Sequence, residues 1–454
     1  MKLYDWDQVA TKSVATIVEV YYQQMRQEPL LKSIFRACHG ASLLFCAPFP
    51  LRQISIEENN SDGENAHQSH SSCVFIDTGN YVSSGFLDFL EASNVESKKP
   101  KIVFRRQKLK TISFAYSSSF QCLSVYLQVV CFCALQIFYL FRALFSRDEM
   151  FVSRYVTAKH LKHEILPALL MRRSGEKVFS KLALVSDEAN PLFRAWWLQQ
   201  RDLERHMPKL VHLQHGIILD PNEWRHSLAD SFLLIGGSAV EHVARLLGPE
   251  RKSYIVGSYL TPFTDALSLT ESTESTESRY CLVCMQPYVP LFGSHENYLD
   301  LLRALDDIFN ELPAMRFVVR PHPGQKGVKV LNRKFKAPNV EIDNSQALSQ
   351  QIFCCEIGLT FFSQTSYNFV AQGKPLVLVS TPNLEEVSKK FKDEFSGHFV
   401  GIDSLKLYLE ELDLKVERER SLNTFQQNDL SMVLLPMADT RMKIESALIE
   451  ILQD

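Results

Sequence analysis

No G-x-x-x-x-G-K-[S/T] loop occurs in this chain and no G-x-G-x-x-G follows an apolar run, which argues against P-loop NTPases and classical dinucleotide enzymes. The G-x-S-x-G elbow and the H-E-x-x-H helix are also missing, so neither a hydrolase nucleophile of that type nor a zincin metal site is indicated. No Asp-x-Asp closes an apolar run to chelate a divalent cation, and a metal-independent mechanism is expected. Cys281-Leu282-Val283-Cys284 has no second ligand pair at zinc spacing and lies in an apolar run, where a free thiol acts as a small hydrophobe. The ten cysteines are scattered, and Met1 to Gln27 is too polar for the apolar core of a secretory signal. Both features point to a reducing, cytoplasmic setting. A formal net charge of -3 gives no broadly basic surface, so nucleic acid is not an expected partner and anionic ligands must be held locally.

Charge is missing in one further place. Between Lys110 and Arg142 no charged residue occurs, and Phe120 to Phe141 matches the ~20 residues of a bilayer crossing. Gln121, Gln128 and Gln136 recur inside the segment, and such polar groups are costly in hydrocarbon. The flanks, Arg105-Arg106-Gln107-Lys108-Leu109-Lys110 and Arg142, are basic and would suit an anionic membrane surface. Three placements of 111–141 are open on these features: a helix buried in protein, a helix lying on a membrane surface, or a true span.

At 454 residues the chain is too long for one ordinary core, and two domains of roughly 200 residues are expected. The first 110 residues carry weak signals. Ala41 to Pro48 and Cys73 to Asp77 read as strands, and Glu57 to Ser72 as a polar loop. From Lys181 the pattern becomes the strand and helix alternation that builds parallel sheets. Leu182 to Val185, Leu210 to Leu213, Ser231 to Ile235 and Tyr254 to Val256 are the strands, with helices from Pro191 and Ala239. The tract Thr270 to Ser278 is small, polar and repetitive, and reads as a linker over 263–278. Beyond it the alternation restarts, with strands at Tyr280–Met285, Arg316–Val319, Val340–Ile342, Ile357–Phe361 and Pro375–Val379 and helices at Asn297–Asn310 and Ser345–Phe353. The segment 439–454 places Ile444, Ala447, Leu448 and Ile451 on one helical stripe that has to pack on something, the first domain being one candidate. The expected organisation is therefore a first domain over 1–262, the linker, a second domain over 279–438, and a closing helix.

Two strand ends carry histidine: Leu210-Val211-His212-Leu213-Gln214-His215-Gly216 and Phe317-Val318-Val319-Arg320-Pro321-His322-Pro323-Gly324. In open α/β sheets ligands bind at the carboxyl ends of strands. Arg320 offers a bidentate guanidinium, His322 a second donor, and the two prolines a fixed loop, together a cationic hook for phosphate. Ser363, Thr365 and Ser366 follow another strand at the start of a helix, where they serve either as caps or as an anion site. Gly373 reads as that helix's C-cap. In the first domain His215, Asp187 and Glu188 are the candidate general bases, with helix capping an equal reading for Asp187.

With Gln214-His215-Gly216, Arg320-Pro321-His322-Pro323, Ser363 to Ser366 and Gly373-Lys374-Pro375, the stretch from Lys181 to Ser380 resembles the GT-B-type glycosyltransferases of bacterial capsule and lipopolysaccharide synthesis. It is similar as well to the CDP-glycerol glycerophosphotransferases that share their layout. The resemblance implies two Rossmann-like α/β domains facing a cleft. It implies that Arg320, His322, Ser363, Thr365 and Ser366 hold the phosphates of a nucleotide-activated sugar, with no separate cofactor. It places His215 near the activation of a glycan or lipid-linked acceptor, in a cytoplasmic enzyme open to peripheral contact with the inner membrane face. Two departures are visible: Tyr367-Asn368-Phe369 stands where many such enzymes carry a ribose-binding Glu, and Ala189 follows Asp187-Glu188 where related sialyltransferases carry Gly. A sugar-nucleotide 2-epimerase and a non-catalytic glycan-binding protein are the rival readings.

Overall fold

The computed structural model describes residues 3–15, 18, 30–46, 54–58, 71–78, 81–96, 102–112, 119–144, 149–161, 165, 181–203, 207–216, 224–260, 280–288, 292, 295–322, 334–363, 365–384, 399–414, 416 and 437–453. The proposed linker 263–278 lies outside them, as do Pro323 and Gly324. By internal contacts the chain divides into two compact units. One is Met1–Gln214 with Asn222–Tyr254 and Met442–Asp454, and the other is His215–Pro221 with Ile255–Arg441.

The first unit is built on β1 (Ile54–Glu58), β2 (Ser71–Asp77), β3 (Ile102–Ile112), β4 (Leu182–Val185), β5 (Lys209–Leu213), β6 (Ser231–Leu234) and β7 (Lys252–Ile255). They form one seven-stranded sheet in the order β1-β3-β2-β4-β5-β6-β7. The pairs β3–β2, β2–β4, β4–β5 and β5–β6 are parallel, and β1 lies antiparallel on β3. The run Leu182–Val185 is buried throughout, as a strand covered on both faces must be. After β2 the chain moves out to β3 and then returns past β2 to β4, so the order reverses at the β2/β4 boundary. The helix Tyr81–Glu96 makes the first crossover, and Phe86 packs its ring on Phe75 of β2 at 4.6 Å and on Phe104 of β3 at 5.8 Å.

Two sequence expectations fail here. Ala41 to Cys46 belongs to the helix Leu30–Cys46, because Ser33, Ala37, Gly40 and Leu44 are the buried residues and their spacing is helical. The basic run Arg105 to Lys110 lies within β3 and does not flank a helix; Arg106 is ion-paired to Asp77 at 2.6 Å. The uncharged segment is the helix Ser119–Leu144, which packs against Leu30–Cys46 and Glu149–His160. Its stripe Val129, Phe132, Cys133, Gln136, Leu140 and Ala143 is buried. Gln136 is satisfied inside the protein, donating to Asp7 Oδ1 at 2.7 Å and accepting from Arg154 Nη1 at 3.2 Å. By length and composition Leu127–Leu144 is apolar enough to cross a membrane, and its opposite stripe stays exposed, with Leu127 53% and Phe138 60% accessible.

The second unit holds β8 (Cys281–Cys284), β9 (Phe317–Arg320), β10 (Val340–Ile342), β11 (Ile357–Thr360), β12 (Leu376–Ser380) and β13 (Phe399–Gly401). The order is β10-β9-β8-β11-β12-β13 and every pairing is parallel. This is a Rossmann-like winding, reversing at the β8/β11 boundary. Phe317 of β9 stacks on Phe309 of the helix His295–Asn310 with centroids 4.0 Å apart. Cys281 and Cys284 are buried strand residues, with burial pushing both thiols well above the ordinary range, which suits a hydrophobic role. The helix Met437–Gln453 closes the chain, and Lys209 Nζ donates to its Ile451 carbonyl at 2.9 Å.

Candidate functional site

The reversal of strand order between β8 and β11 opens a crevice at the carboxyl edge of the second sheet, where neighbouring connections leave in opposite directions. Gln286, two residues past β8, donates from Nε2 to the Phe362 carbonyl at 2.7 Å and ties the two strand ends together. Its own carbonyl accepts from the Tyr298 hydroxyl at 2.7 Å, and Thr360 Oγ1 donates to the Cys284 carbonyl at 3.1 Å. In sequence Gln286 carries only a weak signal, a polar residue followed by Pro287 at the end of an apolar run.

On the β11 side, Ser363 Oγ accepts from the Thr365 backbone N–H at 3.2 Å and pairs with the Thr365 hydroxyl at 2.8 Å. Ser363 thus caps the helix Thr365–Ala371, one of its two sequence readings. Ser366 is fully buried, and its Oγ makes no hydrogen bond with the described residues. A buried hydroxyl without a partner is costly and sets Ser366 apart from its neighbours. Helix and sheet approach closely because Gly358 has no side chain: a Cβ there would meet the Phe369 ring at 2.3 Å. Gly373, at φ +62, ends the helix as expected, and Lys374 Nζ caps the carbonyls of Phe353 and Cys355 at 2.7 and 2.9 Å.

On the β9 side the picture differs from a free cationic hook. Arg320 Nη1 donates to the Gln346 carbonyl at 2.8 Å and to Gln351 Oε1 at 2.6 Å. Gln351 in turn donates to Asp343 Oδ2 at 3.0 Å, so the guanidinium is fastened to its own unit. His322 is half-buried, and burial holds its imidazole below the ordinary range, making it a neutral donor or acceptor at pH 7. The strands carrying His322 and the serine cluster are separated by β8, so their ends stand about 10 Å apart at the ~4.8 Å strand spacing.

The three base candidates separate. Asn190 caps the helix Pro191–Leu203, its Oδ1 accepting from the backbone N–H groups of Leu192 and Phe193 at 2.9 and 3.3 Å. Asp187 is therefore not the cap, and it remains half-buried at the sheet edge. Glu188 is 4% exposed and fully engaged: it accepts from the Ser227 hydroxyl at 2.7 Å and from the Leu228 backbone N–H, and pairs with His212 Nδ1 at 3.2 Å and Arg194 at 3.6 Å. Burial would raise its pKa, yet the His212 contact, the Arg194 charge and the Leu228 N–H together hold it below the ordinary value. A carboxylate with its lone pairs so occupied has no room for a substrate hydroxyl, and Glu188 is a structural residue. Its partner His212 lies tilted against Trp224, with ring centroids 4.9 Å apart, and nothing in the sequence around it marks that pairing. His215 is half-buried just past β5, next to Gln214, which accepts from the Ile235 N–H at 2.8 Å. A Cβ at Gly216 would meet nothing within 4 Å, so that glycine is not demanded by packing among the described residues. The described residues contain no cluster of three or more His, Cys, Asp or Glu side chains able to hold a metal ion.

No family model and no curated protein matches the chain. Among solved structures it is similar to a UDP-forming α,α-trehalose-phosphate synthase from Burkholderia vietnamiensis, at 13% identity and TM-score 0.43, covering 84% of this chain and 98% of that one. The glycosyltransferase SnogD from Streptomyces nogalater is 16% identical with TM-score 0.43, over 83% and 99% of the two chains. S. aureus MnaA in complex with UDP gives TM-score 0.48 at 10% identity, over 85% and 97%.

Proposed function

We propose that the chain is a metal-independent glycosyltransferase of GT-B type, moving a sugar from a nucleotide-activated donor to a hydroxyl of a capsule or lipopolysaccharide glycan. The observation that carries this reading is the placement of His322 and of Ser363, Thr365 and Ser366 on strands that flank β8 at the switch point. A single phosphate does not reach across about 10 Å, whereas a nucleoside diphosphate joined to a sugar does. In this reading neutral His322 and the serine cluster hold the donor phosphates and stabilise the leaving group, and Arg320 supports the loop that carries His322. The acceptor is assigned to the first unit, where Asp187 stands at the sheet edge to take the acceptor proton; His215, just past β5, is the other candidate base. The exposed apolar stripe Leu127, Val130, Phe138 and Phe141, with Arg142 beside it, supports docking on an anionic membrane surface that presents a lipid-linked acceptor.

Thermal-shift titration with UDP-, CMP-, CDP- and GDP-linked compounds tests the donor assignment. One class is expected to stabilise the protein, with the effect lost in His322→Ala and Ser366→Val. Equal stabilisation of both variants would sink the site. Product analysis with the stabilising compound and no acceptor separates transfer from epimerisation, since only an epimerase interconverts the free nucleotide sugar. A CDP-glycerol response selects glycerophosphate transfer, and turnover is expected to persist in the presence of a chelator.

A further inference from the structure

The first sheet has its own switch point, at the carboxyl ends of β2 and β4. Asp77 closes β2 there, with 1% of its side chain exposed, and accepts two hydrogen bonds on Oδ2 from Arg106 of β3, from Nε at 2.9 Å and Nη2 at 2.6 Å. The Arg106 side chain is 31% exposed, and its Nη1 makes no hydrogen bond with the described residues. The register pairs Phe75 with both Arg106 and Leu184, so Asp77, Arg106 and Ser186 project from the same face of the sheet. Ser186 is fully buried and its Oγ has no hydrogen-bond partner among the described residues. The helix Tyr81–Glu96 begins four residues after Asp77 and packs on this face through Phe86, so its N-terminus lies at the same edge.

We infer that Arg106, held in orientation by Asp77, binds an oxyanion carried by the acceptor. The two partners are unequally covered: the carboxylate is buried, while the guanidinium side chain is 31% exposed. The buried carboxylate fixes one edge of the planar fork and turns the remaining N–H donors outward, the geometry that suits bidentate binding of phosphate or carboxylate. The helix N-terminus adds favourable potential for an anion, and Ser186 follows Val185, the register partner of Ile76, on the adjoining strand. This inference rests on the acceptor belonging to the first unit. It adds that the acceptor is anionic and that Arg106 is a recognition residue, a role none of His215, Asp187 or Glu188 fills.

The test is thermal protection by inorganic phosphate and, in parallel, by acetate. An oxyanion at ten times its Kd is expected to raise Tm by about 3–6 °C. The double variant Asp77→Asn/Arg106→Gln removes both charges together, so that no buried carboxylate is left unpaired, and is expected to fold and to lose the protection. Arg106→Lys keeps the pairing but not the fork, and is expected to bind about tenfold more weakly. His322→Ala should leave the protection unchanged. Response to phosphate alone or acetate alone identifies which oxyanion is taken. Protection by neither, protection that survives in the double variant, or protection removed by His322→Ala overturns the inference. The donor assignment is read separately from nucleotide protection, so either can fail while the other stands.

Discussion

Replacing Glu188 by alanine would leave Arg194 buried without its counter-charge, and would remove the carboxylate from beside His212 Nδ1, the Ser227 hydroxyl and the Leu228 N–H. Breaking a buried pair by removing one partner costs about 3–5 kcal/mol. For a unit of this size, at roughly 2–4 °C per kcal/mol, Tm should fall by about 6–20 °C. Glu188→Gln keeps the volume and one acceptor oxygen, and should cost less, about 1.5–3 kcal/mol. The two variants also differ from wild type in pH dependence. The folded carboxyl titrates below its ordinary value, so between the two values the unfolded chain binds more protons than the folded one. Its stabilisation is full above about pH 5 and is lost as pH falls through the ordinary glutamate value of about 4.3 towards the folded one. Denaturant titrations of wild type and Glu188→Gln at pH 7 and pH 4 should therefore show a gap that narrows on acidification. If Glu188→Ala kept the wild-type Tm and lost only turnover, the buried network would be misread and Glu188 would return as a general base.

Gly358→Ala forces a methyl against the Phe369 ring, and overpacking of that kind should cost about 1–3 kcal/mol, with partial recovery in Gly358→Ala/Phe369→Leu, measured by urea denaturation. His322 is held neutral by burial, so an anionic donor phosphate that favours its protonated form should bind more tightly as pH falls from 7.5 towards 6. Calorimetric titration of wild type against His322→Gln isolates that contribution, and parallel pH profiles would refute it. Phe138→Glu/Phe141→Glu should abolish flotation with anionic vesicles while leaving Tm within about 2 °C, because both side chains point away from the core. Retained flotation would move the membrane contact elsewhere.

From Lys181 onward the architecture was legible because each parallel strand, covered on both faces, reads as a short apolar run ending in turn residues. The Gly373 cap and the placement of His322 and Ser363 at strand ends followed from the same pattern. The amino-terminal part was less legible. β3 opens on Ile102-Val103-Phe104 but continues into a run rich in Arg and Lys that masks the strand, and the helix Leu30–Cys46 contains a short run that imitates a strand. What charged residues do was decided only by the tertiary structure. Asp187 and Glu188 are adjacent in sequence, yet one stays at the sheet edge and the other is locked onto His212 and Arg194. Arg320 is fastened by a glutamine thirty-one residues away, and Arg106 is held by an aspartate twenty-nine residues before it. Local pattern determines where strands begin and end, because periodicity and turn chemistry are properties of neighbours in the chain. The protonation, orientation and availability of a polar side chain depend on which distant elements pack against it.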